Sequence, residues 1–124
     1  MSYLGLDYGL KHIGIAIAED MLAEPLTTIP TDTALSALRH LIQKQKIKAV
    51  VIGASDHPHP TVHELATQLS SLNVPIYFVD ETLTSHDARD VLQHTSQTRR
   101  KTLEHAVSAT LILQSWLDRH HQSH

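Results

Sequence analysis

Three acidic side chains follow apolar runs in this chain, at the points where predicted β-strands end. Asp7 ends the run Tyr3–Asp7 (YLGLD), while Asp80 and Glu81 end the run Val74–Glu81 (VPIYFVDE). If the two strands are parallel neighbours, their carboxyl ends meet at one edge of a sheet, which is where α/β sheets place ligands. We therefore expect the carboxylates of Asp7 and Glu81 to converge on one spot.

Converging carboxylates predict a metal site. They repel each other unless a cation lies between them, and oxygen ligands suit Mg²⁺ or Mn²⁺. Such an ion activates water and stabilises the charge on a phosphodiester during hydrolysis. Taken singly, each acid also has an ordinary structural explanation, because Asp7 could form a turn and Glu81 could cap the following helix.

Basic residues and histidines supply the other candidates. Lys11 lies in a predicted hairpin turn, and Arg99, Arg100 and Lys101 form a basic run that could contact phosphates or simply be solvated. His57 and His59 could suggest a metal, but neither a cysteine nor a third ligand follows at a zinc spacing. We interpret that segment as a solvated loop.

Length and composition limit the possible classes of protein. The 124 residues suit a single domain, expected to span residues 1–124. The absence of cysteine excludes disulfides and thiolate chemistry, and it fits a cytoplasmic protein. A formal net charge of −3 argues against a generally basic nucleic-acid binder and leaves room for a local basic patch. Neither a signal peptide nor a membrane span is indicated.

Hydrophobic periodicity predicts alternating strands and helices. Pro25 and Pro30 confine the third strand to a sheet edge. The predicted strands are Tyr3–Asp7, His12–Asp20, Glu24–Thr31, Ile47–Ser55 and Val74–Glu81. The predicted helices are Thr33–Gln45, Val62–Leu72, Leu83–Thr95 and Thr102–His121, with a basic loop over residues 96–101.

The order of these elements predicts the fold class. A leading antiparallel hairpin with a third strand, followed by αβ units, implies an α/β fold with a mixed five-stranded sheet. The later strands should run parallel to the first, with helices on both faces of the sheet. This is the ribonuclease H-like arrangement.

Four segments of the chain resemble one family of proteins. The sequences LGLDYGLKHIGIAIAED, AVVIG, VDETLTSHDA and SATLILQSWLD are together similar to the YqgF/RuvX family, and the resemblance covers nearly the whole chain. Members are described as Holliday-junction resolvases and as pre-16S ribosomal RNA nucleases with a ribonuclease H-like fold. The resemblance implies that Asp7 and Glu81 are catalytic, metal-binding acids, and that Lys11 and the run Arg99–Lys101 contact nucleic acid.

The chain departs from the family pattern at three places. The third family acid lies nine residues before the glutamine that matches Gln114, a spacing that falls on His105, next to Glu104. An arginine after the acidic pair is replaced by Thr82, and the loop after Gly53 is shortened. The resemblance therefore implies that His105 is the third metal ligand or a proton-transfer group. An imidazole brings no negative charge, so we expect weak activity that favours Mn²⁺ over Mg²⁺.

The leading function predicted from the sequence is a metal-dependent endonuclease acting on structured nucleic acid, either an rRNA precursor or branched DNA. The alternative is a nuclease-like domain that has lost efficient catalysis and binds nucleic acid or assembling ribosomes. An actin-like phosphotransfer domain is less favoured, because 124 residues leave no room for its second half. The pattern leaves open whether the chain is a monomer or a homodimer.

Overall fold

A computed structural model of the chain describes residues 2–54, 60–80 and 97–122. The strands are β1 (Ser2–Tyr8), β2 (His12–Ala18), β3 (Ala23–Pro30), β4 (Ile47–Ala54) and β5 (Ile76–Asp80). The helices are α1 (Ala34–Lys44), α2 (Pro60–Ser70) and α3 (Gln97–Gln122), and a 3₁₀ turn at Thr31–Thr33 leads into α1. Within these residues, no helix is both long enough and apolar enough to cross a bilayer.

The described strands form one mixed sheet in the order β3-β2-β1-β4-β5. Strands β1 and β2 pair antiparallel, as do β2 and β3, whereas β4 runs parallel to both β1 and β5. This confirms the predicted five-stranded sheet with a leading hairpin and parallel later strands. Strand β3 is an outer strand, as its two prolines predicted.

Helices cover both faces of the sheet. On one face, Leu4, Leu6 and Val50 belong to a core cluster with buried residues of α1 and α2. On the other face, Ala16 and Val51 pack with buried residues of α3. Alternate residues of each strand therefore enter different cores, as the period of two in a strand requires.

Helix α3 begins at Gln97, five residues before the predicted start at Thr102. The predicted basic loop was therefore wrong, because Arg99–Lys101 belong to the first turns of this helix. Arginine, lysine and glutamine are good helix formers, and neither glycine nor proline precedes Thr102 to stop the helix. The predicted helix Leu83–Thr95, together with His57 and His59, lies outside the described residues.

Helix α3 packs unusually close to β1 at Gly5. A Cβ atom at this position would lie 2.6 Å from the Leu113 Cβ and 2.7 Å from the Ala109 carbonyl oxygen. Side chains larger than hydrogen would push the helix away from the strand. Gly5 thus sets the distance between α3 and the sheet.

We expect Gly5→Ala to lower the free energy of unfolding by about 1–3 kcal/mol, because the new methyl group overpacks the interface of β1 with α3. Urea titration followed by circular dichroism measures the change. Ser36→Ala, at an exposed position of α1, is the control and should change stability by less than about 0.5 kcal/mol. Equal stability of Gly5→Ala and the parent would contradict the close packing.

Candidate functional site

Asp7 lies near the carboxyl end of β1, on the face of the sheet that α3 covers. Its partners across the two neighbouring strands are Gly14 of β2 and Gly53 of β4. Its side chain is only 13% exposed. Because neither partner has a side chain, the residues paired with Asp7 place no side-chain atoms beside its carboxylate.

His105 of α3 contacts this carboxylate directly. Its Nδ1 lies 3.1 Å from Oδ2 of Asp7, and the imidazole side chain is 41% exposed. An ionised carboxylate can only accept hydrogen bonds, so Nδ1 carries the proton when this hydrogen bond forms. The two residues are 98 positions apart in the chain, and the packing of α3 on the sheet brings them together.

Gly14 allows this contact. A Cβ atom at position 14 would overlap the backbone carbonyl group of His105 and lie 2.7 Å from the amide nitrogen of Ala106. The helix backbone therefore rests directly on β2 beside Asp7. Any other residue at position 14 would displace the turn of α3 that carries His105.

The turn between β1 and β2 forms a border of the site. A Cβ atom at Gly9 would lie 3.5 Å from Cε1 of His105, which places this turn beside the imidazole. Thr31 fixes the turn, because its hydroxyl donates a 2.7 Å hydrogen bond to the Gly9 carbonyl and its amide donates to the Lys11 carbonyl. Lys11 is exposed in this turn, at the same end of the sheet as Asp7.

We expected the strands that end at Asp7 and Glu81 to be adjacent in the sheet, and this expectation was wrong. Strand β4 lies between β1 and β5, since Asp7 pairs with Gly53 and Gly53 pairs with Val79. The parallel direction was predicted correctly, but strand periodicity does not reveal the order of strands within a sheet. Glu81 lies outside the described residues, so its predicted convergence with Asp7 stays a prediction.

The structure brings together Asp7 and His105 from the set predicted from sequence. Arg99–Lys101 lie in the same helix as His105, roughly one to one and a half turns nearer its start, and Glu104 directly precedes it. Across residues 2–54, 60–80 and 97–122, no group of three or more acidic or histidine side chains is placed to hold a metal ion. The two glycines beside Asp7 were not identified as site residues from the sequence, because their role depends on strand pairing.

Comparisons with known proteins find similar sequences over nearly the whole chain. Residues 1–119 match the family model described as "RuvX: Holliday junction resolvase". A protein of Dechloromonas aromatica (strain RCB), named "Putative pre-16S rRNA nuclease", is 38% identical over 133 residues, covering 95% of this chain and 91% of its own length. A protein of the same name from Gloeobacter violaceus is 39% identical, with 95% and 84% coverage.

Solved structures show the same fold at low sequence identity. Thermus thermophilus RuvC in complex with a Holliday junction substrate superposes with a TM-score of 0.65 at 12% identity, covering 98% of this chain and 96% of RuvC. The fowlpox virus Holliday junction resolvase gives a TM-score of 0.65 at 12% identity, with 96% and 99% coverage. These likenesses confirm the predicted ribonuclease H-like fold.

We expect neutral His105 to carry its proton on Nδ1 in metal-free buffer, because the Asp7 carboxylate accepts it. Asp7→Asn removes the ionised acceptor and should shift the imidazole toward the Nε2-protonated tautomer. Long-range ¹H–¹⁵N correlation spectra of the histidine rings measure the tautomer. Asp32→Asn, an exposed carboxylate in the 3₁₀ turn, is the control. An unchanged His105 tautomer in Asp7→Asn would contradict the hydrogen bond.

Proposed function

The chain belongs to the RuvX family, and we propose that it is a metal-dependent endonuclease that hydrolyses phosphodiesters of structured nucleic acid. The observation that carries this proposal is the pairing of Asp7 with His105, 3.1 Å apart, at the carboxyl edge of the parallel strands. This edge is where α/β sheets place their ligands. Residues 1–124 would act together as a single nuclease domain.

The donor atoms of Asp7 and His105 are compatible with one divalent ion. Two adjacent ligands of an octahedral ion, each about 2.1 Å from it, lie about 3 Å apart. The 3.1 Å between Oδ2 of Asp7 and Nδ1 of His105 fits that separation. The pair supplies one oxygen and one nitrogen, a set that suits Mn²⁺ better than Mg²⁺.

Glu81 is the third residue of the proposed site. It follows Val79 by two residues in the sequence, the spacing at which residues of an extended strand share a face. Val79 belongs to the core under α3, the face on which Asp7 lies. Gly53, between β1 and β5, places no side chain on this face between Asp7 and Val79. A bound ion would activate water and neutralise charge on the phosphodiester.

His105 has two possible roles in this site, and both use the observed contact. As a ligand, its deprotonated Nδ1 would bind the ion beside Asp7. As a proton-transfer group, it would keep Nδ1–H on Asp7, and the carboxylate would orient the ring and stabilise the imidazolium that forms. Its 41% exposed side chain is accessible to substrate in either case.

The names of the relatives guide the choice of substrate. Two bacterial proteins similar to this chain carry names that refer to pre-16S rRNA. The family description and the names of the similar structures refer to Holliday junctions. We propose structured nucleic acid, an rRNA precursor or branched DNA, as the substrate class. With a net charge of −3, binding depends on local cations, for which we propose Lys11 and Arg99–Lys101.

The alternative function is a nucleic-acid or ribosome-assembly binding module with little catalysis. In its favour, the family resemblance implies that His105 stands at the position of a third carboxylate, and a neutral imidazole brings less negative charge to hold an ion. Cleavage measurements separate the two functions, because a binding module retains affinity for nucleic acid without metal-dependent turnover.

We expect Asp7→Asn to lower the cleavage rate of a four-way DNA junction or an rRNA precursor by roughly 100-fold or more in Mn²⁺, because the change removes the charge of the carboxylate. Single-turnover gel assays measure the rate. Asp20→Asn removes the same charge from the exposed turn between β2 and β3, at the opposite end of the sheet from Asp7, and should cleave like the parent. Equal rates for the parent and Asp7→Asn, with binding retained, would support the binding module instead.

Variants of His105 and Glu104 test which of these two residues is the third metal ligand. We expect His105→Ala to lower Mn²⁺-supported cleavage by about 10- to 100-fold, and His105→Asp to raise cleavage in Mg²⁺, because it supplies an oxygen ligand and a charge. Glu104→Ala is the neighbouring control. If Glu104→Ala is inactive while His105→Ala cleaves like the parent, Glu104 is the ligand and our assignment is wrong.

The basic run at the start of α3 should contribute to affinity through phosphate contacts. Replacing Arg99, Arg100 and Lys101 with glutamine should lower the slope of log affinity against log salt by up to about 2.7 for duplex DNA, at about 0.9 per lost contact. Fluorescence anisotropy at several salt concentrations measures the slope. An unchanged slope would remove these residues from the interface.

A further inference from the structure

A cavity of about 240 Å³ opens beside the C-terminal half of α3, away from His105. Its walls include the aromatic side chains of Tyr3, Tyr77, Trp116 and His120, with Lys48 beside them. Trp116 lies eleven residues after His105 in α3, which corresponds to about 17 Å along the helix. The cavity is therefore separate from the proposed nuclease site and lies on the same face of the sheet.

The aromatic rings form a stacked group around Trp116. Its ring centroid lies 3.9 Å from that of His120, 5.0 Å from Tyr77 and 5.6 Å from Tyr3. Trp116 is 9% exposed, whereas Tyr77 is 40% exposed. Tyr77 and His120 are both exposed, so this group of rings is accessible from solvent.

A β-bulge places Lys48 against these rings. Ser2 pairs with Ile47 and Tyr3 pairs with Ala49, so the register advances by two residues on β4 against one on β1. Lys48 is the inserted residue, and bulges redirect side chains in this way. As a result, an exposed cation lines this aromatic cavity.

The sequence around Lys48 is basic over a longer stretch. Residues 39–48 (RHLIQKQKIK) contain four lysines and arginines and no acid, in a chain whose net charge is −3. All four of these cations, Arg39, Lys44, Lys46 and Lys48, are exposed. Of these cations, Lys48 lines the aromatic cavity. Aromatic rings beside a lysine have the composition of a site for single-stranded nucleic acid, where bases stack and phosphates pair with lysine or arginine.

We propose that this cavity binds an unpaired base of single-stranded nucleic acid, stacked on the Tyr77–Trp116–His120 group with a neighbouring phosphate on Lys48. The proposal rests on the proposed nuclease function, which it deepens by adding a contact for an unpaired segment next to the cleavage site. Tyr3 and Asp7 lie four residues apart along β1, or about 13 Å. Because α3 packs on Gly5 between them, a strand that reaches both places would run along the side of this helix.

Fluorescence of Trp116 tests the proposal directly, because it is the chain's single tryptophan. The full chain is titrated in metal-free buffer with single-stranded oligodeoxyadenylate and with an abasic oligonucleotide of the same length, using free tryptophan as the inner-filter reference. We expect saturable quenching by the base-containing strand alone. Equal quenching by the abasic strand, or no quenching by either, would overturn the proposal.

Substitutions then locate the contact. Tyr77→Ala should weaken binding by about 5- to 100-fold through loss of stacking, while Tyr77→Phe keeps the ring and should bind like the parent. Phe78→Ala is the matched control, because Phe78 is 48% exposed on the same strand and contacts His63 of α2 instead. Lys48→Gln should lower the salt slope by about 0.7. Parent-like binding by Tyr77→Ala would remove the cavity from the interface.

The nuclease function and this binding site fail independently. Asp7→Asn should lose cleavage and retain full quenching of Trp116, whereas Tyr77→Ala should lose quenching and still cleave at saturating substrate. Cleavage without quenching would disprove the base-binding cavity alone. Quenching without cleavage by the parent chain would disprove the nuclease function and leave the cavity as the nucleic-acid contact of a binding module.

Discussion

The close approach of the α3 backbone to β1 and β2 is the constraint on which the rest of the structure depends. Gly5 and Gly14 make it possible, because a Cβ atom at either position would collide with Leu113 or with the backbone of His105. Without this approach, the imidazole of His105 would not reach Oδ2 of Asp7. Gly5 and Gly14 therefore provide the surface of β1 and β2 on which α3 packs.

Much of the fold could be predicted from the sequence, because it depends on local patterns. Apolar runs of β-branched residues specified the strands, and the prolines of β3 placed it at an edge. Two predictions about the fold were wrong for different reasons. The position of β4 between β1 and β5 depends on tertiary pairing, which local patterns do not contain. The early start of α3 at Gln97 was a local signal that was misread, because a run of good helix formers was interpreted as a charged loop.

The candidate site could be predicted in part, for a related reason. Asp7 was identified from its place at a strand end, and His105 from the family resemblance, through its spacing to Gln114. Gly53 and the aromatic cavity were not identified. The cavity combines residues from β1, β4, β5 and α3, and Lys48 enters it only through a bulge. Sequence periodicity assigns Trp116 to a buried helix face but does not show which rings surround it.

Gln114 gives the nine-residue spacing a physical meaning. Its side-chain oxygen accepts a 2.9 Å hydrogen bond from the Ala23 amide, and its nitrogen donates to the Met21 carbonyl. At about 100° per residue, Gln114 lies about 180° around α3 from His105, so the two contacts hold opposite sides of the helix. A slip of one residue would turn His105 away from Asp7 by about 100° and break both bonds of Gln114. The tie between Gln114 and the β2–β3 turn therefore fixes the rotation that keeps His105 on the carboxylate.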